Sequence, residues 1–491
     1  MLENILRRAL LPSLEILLFL LVFWASLLFM PDMLNSDGDL GRHITVGNYI
    51  LDTRAIPTRD VFSDTRYGAP LVLHEWLSEV LFALAHRVAG LNGVAWLTAL
   101  LLATIYFLLA VSLRALGITA LLAFFAALAA YFTGMIHQLP RPHLFTLLLF
   151  TLFLILLELY RRNSRLSVLV FLLPIMMLWA NLNGAFVLAF FVLIIYSIGA
   201  LMDHEPRRAV IFLSLLILAF LASFVNPDGV QLPFYVFGFM GNRFLVDNTV
   251  EYLSPNFHNV SAWMFAAWIL FSSALFGRWT THIRWTHLLL LGAWTGFGLY
   301  SARNIANYAP VAVLVTAPVA ELWLMNTVPV LRARLENFNR IAPIGGGWVW
   351  AIVIVTVLIL LQANGARFDT RRSGNVFTAP TFPVNAVDFL ERNPPQGKMF
   401  NEYTWGGYLE YRLFPANRVF IDGNNDFFGE ALVRDYLDIV NARTGWQEKL
   451  AQYDVRWVIV PPQRPLATEL ARSEHWRQVY HDEGAGVWVK K

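Results

Sequence analysis

The sequence contains no cysteine among its 491 residues, which excludes disulfide bonds, thiolate metal sites and a cysteine nucleophile. Charged residues are also scarce: they form 14% of the chain, against about 25% in a typical soluble protein. This deficit excludes an ordinary cytosolic enzyme and a disordered protein. The net charge of +3 is too small to indicate a nucleic acid as partner.

What the sequence has instead is a series of long apolar runs. The first, from about Leu11 to Met30, can cross the ~30 Å hydrocarbon core of a bilayer and is longer than the apolar part of a signal peptide. Ten further runs lie at roughly 92–113, 116–134, 143–160, 167–182, 184–202, 209–225, 261–277, 285–301, 304–326 and 346–363. The pattern predicts a polytopic α-helical membrane protein with about 11 spans, surrounded by membrane lipids in the inner or plasma membrane.

The connections between these runs separate by charge. Arginines recur in alternate connections, for example at Arg161, Arg165 and Arg208, and the positive-inside rule assigns those connections to the cytoplasm. Arg7 and Arg8 assign the N-terminus to the cytoplasm as well. An odd number of spans then predicts that the C-terminus lies outside.

Two of the predicted outer connections are long, and we call them the first loop (31–91) and the second loop (226–260). The first loop begins with Asp37-Gly38-Asp39 and continues with an amphipathic helix, in which Leu40 and Ile44 lie on one face. The segment Glu75–Gly90 is apolar enough to span, but a span there would reverse the side of every later arginine cluster. We therefore predict an interfacial or re-entrant helix.

The composition changes near residue 363. The membrane part is predicted to occupy residues 1–363, and residues 364–491 to form a small extracytoplasmic α/β domain, because strands alternate there with helices. Its predicted elements are helices at Val384–Glu391, Gly406–Leu413, Glu430–Ile439 and Thr468–Ser473, strands at Met399–Glu402, Arg418–Ile421 and Arg456–Val460, and a hairpin around 484–486.

The most specific chemical signal is the pair Asp37 and Asp39. Two carboxylates at i and i+2 point the same way in an extended segment, so they can hold a divalent cation, Mg²⁺ or Mn²⁺, or act as a base and its partner. His43 is a candidate third ligand or phosphate contact. The alternative is that Asp39 or Ser36 merely caps the helix that follows; capping explains one acidic residue, but not two and a histidine.

Further candidates lie at the ends of the predicted outer connections. Glu75 is a candidate catalytic residue that would join the aspartate pair, and His74 is a candidate anion contact. The alternative is that Glu75 is a carboxylate in the first turn of a helix, where it meets the helix dipole. Cationic groups at the span ends suit a phosphate, against the alternative of headgroup snorkelling. The substrate-binding candidates are His43, His74, Arg141, His143, Asn181, Asn183, Arg303, Asn304 and Glu251; the asparagines Asn181 and Asn183 suit sugar hydroxyls or a tight turn, and Glu251 suits a binding role or a solvated charge.

Ionisable residues are rare within the spans, whereas coupled transporters usually carry them near the bilayer midplane. This argues for chemistry at the outer surface. No phosphate-binding loop, GxSxG, HExxH or EF-hand motif is present.

The layout resembles that of the GT-C membrane glycosyltransferases, such as protein mannosyltransferases, aminoarabinose transferases and related bacterial enzymes of the cell envelope. The resemblance rests on the acidic first loop after the first span, two interfacial helices, about eleven spans and an outer C-terminal domain. It implies transfer of a hexose or pentose from a polyprenyl-phosphate donor to a glycan, lipid or protein acceptor. Asp37 or Asp39 would then be the base, and arginines would stabilise the departing phosphate.

Two alternatives remain from the sequence. One is a transporter or flippase for a lipid-linked substrate, and the other is a non-catalytic GT-C-like scaffold subunit. The stretches Asn401–Gly407 and Val419–Gly423 also look like the tails of uncharacterised bacterial membrane proteins of this type, which implies no activity.

Overall fold

The structure is a computed structural model that describes residues 9–247, 249–278, 283–327, 344–368 and 374–491, with Leu335 and Asn339. Arg7 and Arg8, on which the predicted side of the N-terminus depends, lie outside the described residues. Every apolar run contains a helix. The helices up to the last run are α1 (Leu14–Asn35), α2 (Leu40–Thr53), α3 (Trp76–Ala89), α4 (Leu91–Ala115), α5 (Ala120–Gly134), α6 (His143–Asn163), α7 (Leu172–Leu182), α8 (Leu188–Met202), α9 (Pro206–Ala222), α10 (Gln231–Met240), α11 (Arg243–Asp247), α12 (Trp263–Arg278), α13 (Trp285–Tyr300), α14 (Ile305–Thr327) and α15 (Trp348–Ala363).

Six helical segments in the described residues are long and apolar enough to cross a membrane: 14–35, 91–115, 120–137, 143–163, 184–202 and 302–327. The apolar helical segments 166–182, 263–278 and 348–363 are shorter. The chain is therefore a multi-pass helical protein, while the count of eleven crossings and their direction stay predictions.

The two helices of the first loop pack against each other. The amphipathic helix is confirmed as α2, which buries Leu40 and Ile44. Gly47 lies so close to α3 that a Cβ there would overlap the carbonyl oxygen of Glu79. The segment Glu75–Gly90 forms the 14-residue helix α3, too short to span alone.

The C-terminal α/β region contains α16 (Val384–Arg392), α17 (Gly406–Leu413), α18 (Asn425–Val440), α19 (Trp446–Gln452), α20 (Pro465–Arg472) and strands β1 (Lys398–Asn401), β2 (Val455–Val460), β3 (Trp476–His481) and β4 (Gly486–Lys490). The sheet has the order β1-β2-β4-β3, with β1 parallel to β2 and the other pairs antiparallel. The final hairpin is confirmed, and the helix α19 was not predicted.

One predicted strand, Arg418–Ile421, is wrong. Its apolar residues are buried, but the segment is outside the sheet, and Val419 forms a single bridge with Ser63 of the first loop. The backbone N–H groups of Phe420 and Ile421 instead donate to the side-chain Oδ1 of Asn401. A side chain thus replaces the neighbouring strand that the apolar pattern suggested.

The first loop and the C-terminal region meet through glycines. A Cβ at Gly38 would lie 2.6 Å from the carbonyl oxygen of Thr404, and one at Gly41 would overlap the carbonyl oxygen of Gly407. A Cβ at Gly407 would in turn overlap the carbonyl oxygen of Gly38. The two backbones touch because neither has a side chain at these positions, so the C-terminal region sits directly on the Asp37-Gly38-Asp39 turn.

Candidate functional site

Arg141 draws three carboxylates together. Its Nε donates to Asp37 Oδ1 at 2.6 Å, and its Nη2 lies 2.9 Å from Asp39 Oδ2. Its Nη1 donates to Glu251 Oε1. Asp37 and Asp39 follow α1, Arg141 precedes α6, and Glu251 belongs to the second loop. We call these four residues the carboxylate–arginine cluster.

Arg303 adjoins this cluster and lies in the short segment just before α14. Its Nη1 donates to the hydroxyl of Tyr252 at 2.8 Å and lies 3.8 Å from Glu251 Oε2. His137 Nε2 lies 4.0 Å from the same carboxylate oxygen. The side chains of Asp39, Glu251 and Arg303 are 25%, 26% and 29% exposed, so they form the accessible part of the site.

Burial and charge set the electrostatics of the cluster. Burial raises the pKa of Asp37, although the charge of Arg141 opposes the shift. Burial tends to lower the pKa of Arg141, but Asp37, Asp39 and Glu251 outweigh it and raise the pKa well above its usual value. Arg141 is therefore a permanent cation. Burial tends to raise the pKa of Glu251, but Arg141 and Arg303 lower it overall, which keeps this carboxyl ionised.

The capping alternative for Asp39 is not what the structure shows. Asp39 stands at the start of α2, but its side chain makes no hydrogen bond to the helix. The carboxylate binds Arg141 instead, and Asp37 Oδ1 accepts from the backbone N–H of Asp39 at 2.9 Å. Ser36, the other candidate cap, donates to the carbonyl oxygen of Asp32. Both carboxylates thus face the cluster rather than the helix end.

A second network adjoins the first and contains His43 and Glu75. His43 Nδ1 lies 3.3 Å from Glu79 Oε1 and 4.0 Å from a Glu75 carboxylate oxygen, and Arg42 donates to Glu79 Oε1 at 3.1 Å. Burial tends to lower the pKa of His43, but the contacts with Glu79 and Glu75 raise it overall. His43, Glu75 and Glu79 offer ligand atoms within 4.8 Å of one another, so this group could hold a metal ion.

The loop after Ile421 brings the C-terminal region into this second network. Asp422 Oδ2 lies 3.6 Å from Arg42 Nε, and Asp422 Oδ1 accepts from the backbone of Asn424, as in an Asx turn. Asp426 accepts from Tyr235 at 2.8 Å and lies 3.9 Å from His74 Nδ1. The turn at 422–426 is therefore stabilised by its own aspartate and also contacts the membrane part.

The remaining candidates are engaged in packing contacts. Asn183 donates to Glu75 at 2.6 Å and accepts from Thr146, while Asn181 accepts from Trp76. Asn304 donates to the carbonyl oxygen of Phe297, and the buried ring of His143 stacks on His137 at 4.1 Å between centroids. These contacts connect the helices around the site.

Several residues of the site were missed by the sequence analysis: Arg42, Glu79, His137 and Tyr252. Glu75 immediately precedes α3, and Glu79 follows Glu75 by four residues, a spacing that places the two on one side of the helix and that was available in the sequence. The other three carry no signal, because their partners are distant along the chain.

No protein-family model and no curated protein matches the sequence. Solved structures of the oligosaccharyltransferase of Archaeoglobus fulgidus do match. Its apo form has a TM-score of 0.58 at 11% identity, over 91% of this chain and 69% of that chain. The same enzyme with an inhibitory peptide and a dolichol-phosphate has a TM-score of 0.58 at 11% identity, over 91% and 68%. Its complex with Zn and sulfate has a TM-score of 0.53 at 13% identity, over 97% and 73%.

Identities this low show a shared fold. The match spans nearly the whole chain, so it includes the C-terminal region as well as the helical part. The chain therefore shares the fold of that solved oligosaccharyltransferase over most of its length.

Proposed function

We propose that this protein transfers a sugar from a polyprenyl-phosphate donor to an acceptor hydroxyl at the predicted outer face of the membrane. The observation that carries the proposal is the convergence of Asp37, Asp39, Glu251 and Arg303 around Arg141. A carboxylate base and a cation for a departing phosphate are the two groups that such a transfer needs. The shared fold with a solved oligosaccharyltransferase agrees with this chemistry.

Asp39 is the better placed of the two aspartates to act as the base. Its side chain is 25% exposed, whereas the side chain of Asp37 is fully buried. Asp39 would take the proton of the acceptor hydroxyl while the acceptor oxygen bonds to the anomeric carbon of the sugar. The bond between that carbon and the phosphate oxygen then breaks, and its electron pair leaves with the polyprenyl phosphate. Asp37 would hold the turn through its bond to the Asp39 backbone.

Arg303 is the proposed ligand of the donor phosphate. Among the described residues its guanidinium makes one hydrogen bond, to Tyr252, so further N–H groups remain for an anion. Arg141 is less suitable, because its three donor nitrogens already face carboxylates. One matching solved structure contains a dolichol-phosphate.

The test is turnover by the full-length protein in lipid nanodiscs. Polyprenyl-phosphate hexoses and pentoses are supplied one at a time with a membrane extract as the source of acceptors, and released polyprenyl phosphate is measured by mass spectrometry. A general base contributes about 10²–10⁴-fold, so Asp39→Asn should lower the rate at least about a hundredfold. The exposed Asp247, which belongs to α11 in the second loop, provides the control Asp247→Asn, which should keep the full rate.

Asp39 makes no capping bond, but its carboxylate pairs with Arg141, so the thermal midpoint of Asp39→Asn is measured beside its rate. An unchanged midpoint would show that a lower rate is not a loss of fold. Equal turnover by Asp39→Asn and the parent protein would exclude Asp39 as the base. Absence of turnover with every donor, while polyprenyl phosphate alone still binds, would instead favour the non-catalytic scaffold.

A further inference from the structure

Arg141 lies between the three carboxylates of the cluster and contacts each of them. It stands between Pro140 and Pro142, whose rings restrict the backbone, and its own N–H donates to the carbonyl oxygen of Leu139 at 2.8 Å. Leu144, in the first turn of α6, donates back to the carbonyl oxygen of Arg141. The short connection between α5 and α6 thus holds the backbone of Arg141, and the three carboxylates hold its guanidinium.

The guanidinium presents a different nitrogen to each carboxylate: Nε to Asp37, Nη2 to Asp39 and Nη1 to Glu251. This is a full use of the planar donor fork of arginine, which lysine cannot reproduce. The side chain of Arg141 is only 16% exposed, so solvent screens these contacts weakly.

A divalent cation does not fit this cluster while Arg141 is in place. Mg²⁺ requires oxygen ligands at about 2.0–2.1 Å in octahedral geometry, so it would have to occupy the point at which the three carboxylates converge. That point holds the guanidinium, and the facing oxygens of Asp37 and Asp39 are already bound to it at 2.6 and 2.9 Å. A metal at that point would have to expel a buried cation that the same carboxylates stabilise.

We propose that Arg141 is the built-in cation of this site: it holds Asp39 and Glu251 in position and takes the place that a divalent metal would otherwise occupy. This inference deepens the proposed function, because the role of Asp39 as a base rests on that function. The presence of the Arg141 guanidinium in place of a metal can nevertheless be tested without measuring turnover. Arg141 is a positioning residue, because it acts through the carboxylates.

Removing Arg141 should therefore create a metal site. Arg141→Ala leaves Asp37, Asp39 and Glu251 around an empty space, with no guanidinium to balance their charge. Carboxylate oxygens are the preferred ligands of hard cations such as Mn²⁺. Arg141→Lys keeps a positive charge near the same carboxylates, so it should create no such site.

The probe is Mn²⁺ alone, titrated into the full-length protein in nanodiscs and followed by electron paramagnetic resonance. Arg141→Ala should bind one more Mn²⁺ per chain than the parent protein. Its affinity for Mn²⁺ at the three carboxylates should be at least about tenfold higher than that of the parent, a difference of about 1.4 kcal/mol in binding free energy. Adding Asp37→Asn and Glu251→Gln to Arg141→Ala should abolish the extra ion. Comparison with the parent protein subtracts any ion held by the group that contains Glu79.

Two results would overturn the proposal. One is an Arg141→Ala variant that is folded and binds no more Mn²⁺ than the parent. The other is a parent protein whose bound Mn²⁺ disappears on Asp37→Asn with Arg141 intact, since the metal and the guanidinium would then coexist. This second measurement decides the question even if Arg141→Ala fails to fold, and neither depends on the protein being a transferase.

Discussion

Replacing Arg303 by alanine is expected to weaken the binding of polyprenyl phosphate about 10- to 150-fold. A hydrogen bond to a charged group contributes about 1.5–3 kcal/mol, and about 1.4 kcal/mol corresponds to a factor of ten. The structure favours the upper part of this range, because Glu251 lies 3.8 Å from Arg303 and would face the phosphate with less compensation once the guanidinium is gone.

The assay is equilibrium binding of radiolabelled polyprenyl phosphate to the protein in nanodiscs. Arg303→Lys should recover part of the affinity, since lysine restores the charge but not the planar fork. Arg243 is the matched control: it is an arginine of the second loop, its side chain is 90% exposed, and it forms an i,i+4 pair with the exposed Asp247. Arg243→Ala should leave the dissociation constant unchanged within about twofold, because exposed pairs contribute about 0–1 kcal/mol.

An Arg303→Ala variant with the parent's affinity would refute the assignment and leave Arg303 as a residue that snorkels to the lipid headgroups. A loss of similar size in Arg243→Ala would show that the assay reports nonspecific attraction between arginines and an anionic lipid. Loss of affinity in Arg303→Lys equal to that in Arg303→Ala would mean that geometry, rather than charge, decides binding.

Two further predictions concern the C-terminal region and the topology. Burial raises the pKa of Glu410 well above its usual value, so the stability that the protonated group provides is complete below its unfolded pKa and is lost as pH rises through the folded pKa. Glu410→Gln should therefore reduce the decline of thermal stability between about pH 5 and about pH 9, by about 1.4 kcal/mol for each unit of pKa shift. The control is the exposed Glu448→Gln, which should leave the decline unchanged. Equal declines in the two variants would contradict the raised pKa of Glu410. A reporter fused after Arg165 should indicate the cytoplasm, and one fused after Gly397 should indicate the outside. A cytoplasmic signal from the fusion after Gly397 would contradict the eleven-span topology.

The helical part of the fold was predictable because its signal is local. An apolar run of about 20 residues predicts a helix whatever its neighbours are, and the period of Leu40 and Ile44 predicts the face that α2 buries. The strand at 418–421 failed for the complementary reason. Its apolar residues indicate burial, but only the position of Asn401 reveals that a side chain, not a strand, binds its backbone.

The candidate site was predictable residue by residue but not as an arrangement. Asp37, Asp39, Arg141 and Glu251 each stood out by charge in a polar connection of an apolar chain. Their mutual contacts join positions more than a hundred residues apart, for which the sequence carries no spacing signal. Arg141 in particular reads as a phosphate ligand in the sequence, and only its three carboxylate contacts point to a different role.

The glycine contact between Gly38 and Gly407 also bears on the order of events during synthesis. Chains are made from the N-terminus, so the turn at Gly38 is present long before the segment at Gly407 exists. Until that segment is made, the turn is uncovered and Asp39 lacks the backbone of Gly423 against which it packs. The candidate site is thus completed last, and a chain interrupted before Thr404 would carry helices α1–α15 without a finished site.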